Sequence, residues 1–246
     1  MKSTILILLL IFINCGSTGE LITESAYRGD LEGVKSVLTK TKNPNDKNKY
    51  GWTALMAASE SGMYKVVNYL IQQKAGLNLR NDNGDTALIR ACVANKPDIV
   101  ELLLKNGAAP NFRNNQGYSA LMKASEIGNE DIITLLIRNG AKVNLTPIDG
   151  TEKLTALHLA IIGGKIETTK LLITNGADIN YPDSRGFTPL MIAMEKNHEG
   201  IARLLIQSGA NVNIESYFGD TIFTLLEGMN SPKLLKLIKK EIDNER

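Results

Sequence analysis

The chain has little of what catalysis, metal binding or disulfide stapling requires. Its 246 residues include two cysteines, Cys15 and Cys92, and two histidines, His158 and His198. Two thiols exclude a disulfide framework. A zinc site takes about four clustered nitrogen or sulfur ligands, and the two histidines stand 40 residues apart. Aromatics make up 5% of the chain, with a single tryptophan, Trp52. The net charge is only +2, so no concentrated basic face points to nucleic acid. No glycine-rich phosphate loop is present, and no pair of carboxylates stands out as an acid–base pair. The sequence therefore predicts no enzyme, cofactor, metal or small-molecule site.

Long apolar runs are scarce too. The one that stands out is Ile5–Ile13, nine residues that follow Lys2. As a helix it would span about 13 Å at ~1.5 Å per residue, against ~30 Å for a bilayer core. With a positive start and small residues behind it, the run reads as an export signal. Two processing routes fit. Ser17-Thr18-Gly19 offers small residues for a cut before Glu20. Alternatively, Phe12-Ile13-Asn14-Cys15 resembles a relaxed bacterial lipobox, departing from it at Phe12 and Asn14. Cys15 would then be lipidated, with Gly16–Gly19 as a tether. Either route places the protein in a bacterial envelope, periplasmic or membrane-anchored.

What the chain has in abundance is repetition, the first thing to seek in a sequence of this kind. Gly51, Gly84, Gly117, Gly150, Gly186 and Gly219 are spaced by 33, 33, 33, 36 and 33 residues. A hydroxyl recurs behind them at Thr53, Thr86, Ser119, Thr155, Thr188 and Thr221. An asparagine recurs at Asn45, Asn78, Asn111, Asn144, Asn180 and Asn213. Three residue types in one register define a repeat array. The best-formed copy, Asn114–Asn144, reads as a turn followed by two helices, each too short to stand alone, since isolated helices below roughly 12 residues are marginal.

The register divides the chain into residues 1–19, an N-terminal cap 20–45, five central units and a C-terminal cap 214–246. The central units are 46–78, 79–111, 112–144, 145–180 and 181–213. The first helices carry Ala58, Ala91, Ala124, Ala160 and Ala193, small enough for close approach. The second helices carry aliphatic pairs from Leu70-Ile71 to Leu205-Ile206. The last unit ends in a lysine-rich helix whose Leu234, Leu235 and Ile238 are expected to face the core. Terminal repeats need such a polar outer face.

A 33-residue turn–helix–helix unit with Thr-Pro/Ala-Leu, Ala, a glycine break and Gly-Ala-x-x-Asn resembles the ankyrin repeat. TPLMIA at 188–193 and TALHLA at 155–160 carry the likeness best. The resemblance covers about 20–243. It implies an all-α ankyrin-repeat solenoid, L-shaped in section, with β-hairpin-like finger turns and first helices lining a concave face. It also implies a scaffold role for His158 and His198. Met56, Ile89, Met122 and Met191 replace the family's histidine, so apolar packing is expected to stand in for the hydrogen bonding that His provides. Cys92, inside a first helix, is expected to behave as a small hydrophobe.

Function then falls to positions the scaffold does not need. The turns carry Tyr50, Trp52, Asp82, Asp85, Tyr118, Arg185, Phe187, Tyr217 and Phe218, where turns are usually polar. Aromatics and arginine are enriched in binding hot spots; the competing reading is that each ring covers the next unit's turn. The first helices add Glu60, Arg90, Lys123, Glu126, Glu195 and Lys196. Arg90 and Lys123 stand 33 apart, which predicts a small basic centre flanked by acid that orients a partner. The three extra residues in 145–154 lengthen one finger and are expected to expose Ile148 or Leu154. The sum is a non-enzymatic protein-binding scaffold, monomeric, with an unidentified protein partner. The alternatives are an immunity or inhibitor protein against a secreted enzyme, a host-directed binder after release, and, least supported, an enzyme.

Overall fold

The computed structural model describes residues 17–146, 153–227, 235–236 and 238–240. The apolar run at 5–13, Cys15, the insertion at 147–152 with Ile148, and Leu234 lie outside the described residues. The chain divides into two compact units, Met1–Ala109 and Pro110–Arg246. Among the described residues every regular element is a helix; isolated bridges such as Lys47 with Thr53 and Arg113 with Ser119 give the turns their hairpin character.

The first unit holds α1 (Thr18–Arg28), α2 (Leu31–Thr41), α3 (Ala54–Ser61), α4 (Tyr64–Gln72), α5 (Ala87–Val93) and α6 (Pro97–Lys105). First helices stack in the order α1, α3, α5, and second helices in the order α2, α4, α6. None exceeds 11 residues, so each depends on the burial its neighbours provide. In α3, Ala54, Leu55, Ala57 and Ala58 are all buried. Four residues in a row can be buried because α3 packs on α1, α4 and α5. The alanines let these backbones approach, and Leu55 and Leu88 fill the gaps. In α4 and α6 only one stripe is buried: Val66, Val67 and Leu70, then Ile99, Val100 and Leu103. Each such aliphatic stabilises by ~1.5–3 kcal/mol relative to exposure.

The second unit repeats the plan with α7 (Ala120–Ile127), α8 (Glu130–Arg138), α9 (Ala156–Ile162), α10 (Ile166–Thr174), α11 (Pro189–Glu195), α12 (Glu199–Gln207) and α13 (Ile222–Glu227). Here α7, α9, α11 and α13 form the first-helix row. Of the aliphatic pairs, Leu136 and Leu172 are fully buried while Ile137 and Ile173 are half-buried.

The recurring polar residues have definite jobs. The hydroxyls are helix N-caps: Thr53, Thr86, Ser119, Thr155 and Thr188 accept from the backbone N–H three residues on, at 3.3–3.5 Å. A cap of this kind is typically worth ~1 kcal/mol. The asparagines tie one repeat to the next. Asn45 Oδ1 accepts from Gly76 N–H at 2.7 Å and Asn78 Oδ1 from Ala109 N–H at 2.9 Å in the first unit. In the second, Asn111, Asn144 and Asn180 accept from Lys142, Asp178 and Asn211 in the same way. Asn95 and Asn197 hold the left-handed backbone between two helices, at φ 55° and 59°, a conformation Asn tolerates better than most residues.

Three expectations need correcting. Ser17–Gly19 is not a tether: Ser17 caps α1, Thr18 donates to Asp46 at 3.1 Å, and Gly19 is buried in the helix. A Cβ on Gly19 would lie 1.9 Å from the Lys47 carbonyl oxygen, so this contact requires glycine. Leu154 is buried, because it turns in beside α9 and α11 instead of extending the finger into solvent. Leu235 is exposed, whereas Ile238 is fully buried and Lys239 and Lys240 face water. A two-turn helix can bury only one narrow stripe, and Ile238 occupies it.

Candidate functional site

The fingers are built on a polar residue three positions before each turn glycine. Asn48 Oδ1 accepts from the backbone N–H groups of Tyr50 and Trp52, both at 3.0 Å. Asn114, Asp183 and Ser216 hold the N–H groups two and four residues on in the same way. This bond pattern forces the residue between glycine and hydroxyl to point back over the finger. Its partner can then be a side chain from a first helix. Neighbouring fingers join through backbone: Asp82 N–H donates to the Tyr50 carbonyl at 3.3 Å, and Tyr217 N–H to the Arg185 carbonyl at 3.0 Å. At Gly51, φ is +74° and a Cβ would lie 2.4 Å from Asp82 Oδ1, so both conformation and approach require glycine.

In the first unit the finger residues divide sharply. Asp85 is 4% exposed, so it is not a contact residue. Its carboxylate is spent on Arg90 Nη1 at 3.2 Å. Arg90 also pairs with Glu60 and lays its guanidinium over the Trp52 ring, 4.9 Å from the centroid. Asp82 is exposed. Tyr50 is 59% exposed, with Lys49 Nζ 5.0 Å from its ring, and Tyr27 on α1 is 52% exposed. Tyr27, Tyr50 and half-buried Trp52 line one open cleft of about 390 Å³, with Glu24 and Glu60 also in its lining.

In the second unit the same ingredients close on themselves. Phe187 is 7% exposed and therefore belongs to the packing, not to a contact surface. Arg185 covers it at 4.2 Å and is held by Glu195 through Nη1 and Nη2 at 2.8 and 3.1 Å, and by Asp183 through Nε at 3.0 Å. The Glu195 carboxylate, then Asp183, pushes the Arg185 pKa further up, and Arg185 holds the Glu195 carboxyl below its usual range. Tyr118 is half-buried under Lys123, whose ammonium lies 4.1 Å from the ring and pairs with Glu126 at 3.0 Å. Tyr217 and Phe218 are 66% and 78% exposed. The expected basic centre is therefore absent as a free charge: Arg90 and Lys123 are each paired with acid inside their own unit.

Nothing in either unit is arranged for chemistry. His158 is fully buried; its Nδ1 accepts from Thr155 N–H at 3.1 Å and faces Thr155 Oγ1 at 2.9 Å. Burial lowers its pKa to about 4, against the opposing pull of Asp183, the Tyr181 backbone and Asp178. Met122, in the equivalent position one repeat earlier, offers its sulfur to Ser119 N–H at 3.4 Å. At that site the histidine's bond is copied by a weak thioether acceptor, where packing alone was expected. Burial pushes the Cys92 thiol pKa well up, which keeps it protonated and inert. No cluster of potential metal ligands occurs among the described residues, and no described helix is long and apolar enough to cross a membrane.

A family model described as ankyrin repeats (3 copies) matches three overlapping spans, residues 6–81, 73–147 and 121–216. The chain belongs to the ankyrin repeat family. Among curated proteins this ankyrin-repeat chain is 42% identical over 74 residues to human protein phosphatase 1 regulatory subunit 27, covering 30% of this chain and 48% of that protein. It is 39% identical over 89 residues to the mouse B-cell lymphoma 3 protein homolog, covering 36% and 19%. It is 33% identical over 87 residues to the NF-kappa-B inhibitor cactus of Drosophila melanogaster, covering 34% and 17%. The chain thus spans about half or less of these relatives, and what it shares with them is the repeat scaffold.

Sequence reasoning missed Tyr27 and Glu24. Tyr27 lies 33 residues before Glu60, in register with the first-helix positions it did single out. The degenerate cap hid that register. It also missed Asn48 and its counterparts, which recur as visibly as the glycines.

Proposed function

We propose that this ankyrin-repeat protein is a non-enzymatic scaffold that binds a protein partner through exposed finger and first-helix side chains. The observation that carries this reading is the pair of open tyrosines, Tyr27 and Tyr50, beside Trp52 in the first unit. The fold neither covers them nor needs them for packing, and large rings left in water are costly unless something docks on them. Relatives named as a regulatory subunit and as an inhibitor are consistent with a protein that acts by binding. Affinity capture with the full chain as bait tests the reading directly. A protein retained above a scrambled-repeat control is the expected result, and no specific retention from any cellular fraction contradicts it.

The export reading rests on the apolar run 5–13 behind Lys2. Incorporation of Ser17–Gly19 into α1 favours processing at Cys15 over a cut before Glu20, which would remove the cap and the first turn of the helix. Fatty-acid labelling of the cells, followed by the mass of the mature N-terminus, tests it; an unlabelled chain starting at Glu20 would sink the lipid route.

A further inference from the structure

We propose that the cleft formed by Tyr27, Tyr50 and Trp52 takes a guanidinium group, an arginine side chain from a basic segment of the protein partner. The inference rests on the scaffold reading above and specifies what its first unit recognises. The cleft combines three aromatic faces with two carboxylates, Glu24 and Glu60, and contains no basic lining residue. Aromatic faces carry negative quadrupole charge and attract cations, arginine above all, because its planar group can stack. Carboxylates in the same wall add charge complementarity.

An apolar side chain fits the same space poorly. It would strip water from Glu24 and Glu60 without giving a bond in return. A phosphate is repelled by both acids. The chain itself shows what these rings accept: Arg90 already lies over Trp52, and Lys49 over Tyr50. The polar floor is not available for competing chemistry. Asn48 is committed to the backbone of the finger, and Thr23 donates to the Trp52 carbonyl at 3.5 Å. The floor is therefore rigid. About 390 Å³ lies within the ~300–1,000 Å³ range of natural pockets and accommodates one long side chain. The corresponding space in the second unit, about 420 Å³, is lined by Arg185 bonded to Glu195 and Asp183, so the chain supplies its own arginine there.

Trp52 is the chain's only tryptophan, so its fluorescence reports on this cleft alone. The test titrates the full chain with blocked pentapeptides carrying arginine, citrulline or norleucine between glycines. Arginine should produce a saturable change in emission and bind at least about tenfold tighter than citrulline, its neutral isostere. Glu24→Gln and Tyr50→Ala, both at exposed positions, should each weaken arginine binding severalfold without moving the melting midpoint. Equal binding of citrulline or norleucine, or no saturable response to arginine, overturns the proposal. The titration needs no partner, so its failure is separable from that of the scaffold reading: a captured protein unaffected by Tyr50→Ala and Glu24→Gln would leave the scaffold standing and remove the arginine.

Discussion

The Trp52 finger and the Phe187 finger are copies of one design with opposite outcomes. Both place an aromatic ring behind the turn glycine, an arginine over the ring, and acids around the arginine. In the first unit two further rings, Tyr27 and Tyr50, stand open beside the stack, and Trp52 is only half covered. In the second, Phe187 is closed under an arginine that four oxygen and ring contacts hold in place. The difference lies in the source of the arginine. Arg90 comes from the following repeat, whereas Arg185 comes from the same finger, two residues from the ring it covers. A repeat scaffold can thus turn one position into surface or into packing by changing a single neighbour.

The largest effect that would break this comparison is on stability. Phe187→Ala should cost about 3 kcal/mol, as truncation of a buried phenylalanine does, and lower the melting midpoint by roughly 6–12 °C for a chain of this length. Tyr50→Ala should stay within about 0.5 kcal/mol, as an exposed substitution does. Similar losses from both variants in thermal denaturation would show that the two fingers do not differ.

Acid should separate the units further, because His158 lies in the second and the first has Met56 and Ile89 in its place. With a folded pKa of about 4 and an unfolded value near 6.5, the unfolded chain binds the proton first. The stability that neutral His158 protects is complete above pH ~6.5, is lost as pH falls towards 4, and levels off below it. The span amounts to about 3 kcal/mol. Hydrogen exchange at α9 amides should therefore quicken on acidification, and His158→Met should flatten that dependence. An identical pH profile in the wild type and the variant would contradict the assignment.

The scaffold was legible because its signals are local. A hydroxyl three residues before an amide is a cap wherever it occurs, and an asparagine repeated every 33 residues is a bridge to the next copy. The surface was not, because whether a ring is covered depends on a residue elsewhere. Nothing around Phe187 in the sequence says that Arg185 will fold back on it, and nothing around Asp85 says that Arg90 will claim it. Leu154 turned inward for a similar reason: an insertion changes where the chain travels, and an apolar side chain within reach of α9 and α11 buries itself. Tyr27 escaped notice because the cap that carries it lacks the turn by which the other copies are aligned.

The central claim is that the open rings of the first unit serve a partner and not the fold. The most direct test is to replace Tyr27 and Tyr50 together by alanine and to follow partner capture and thermal unfolding side by side. The account predicts capture lost, with a midpoint within about 2–4 °C of the wild type. A midpoint that falls as far as it does for Phe187→Ala, or capture that survives unchanged, would contradict it.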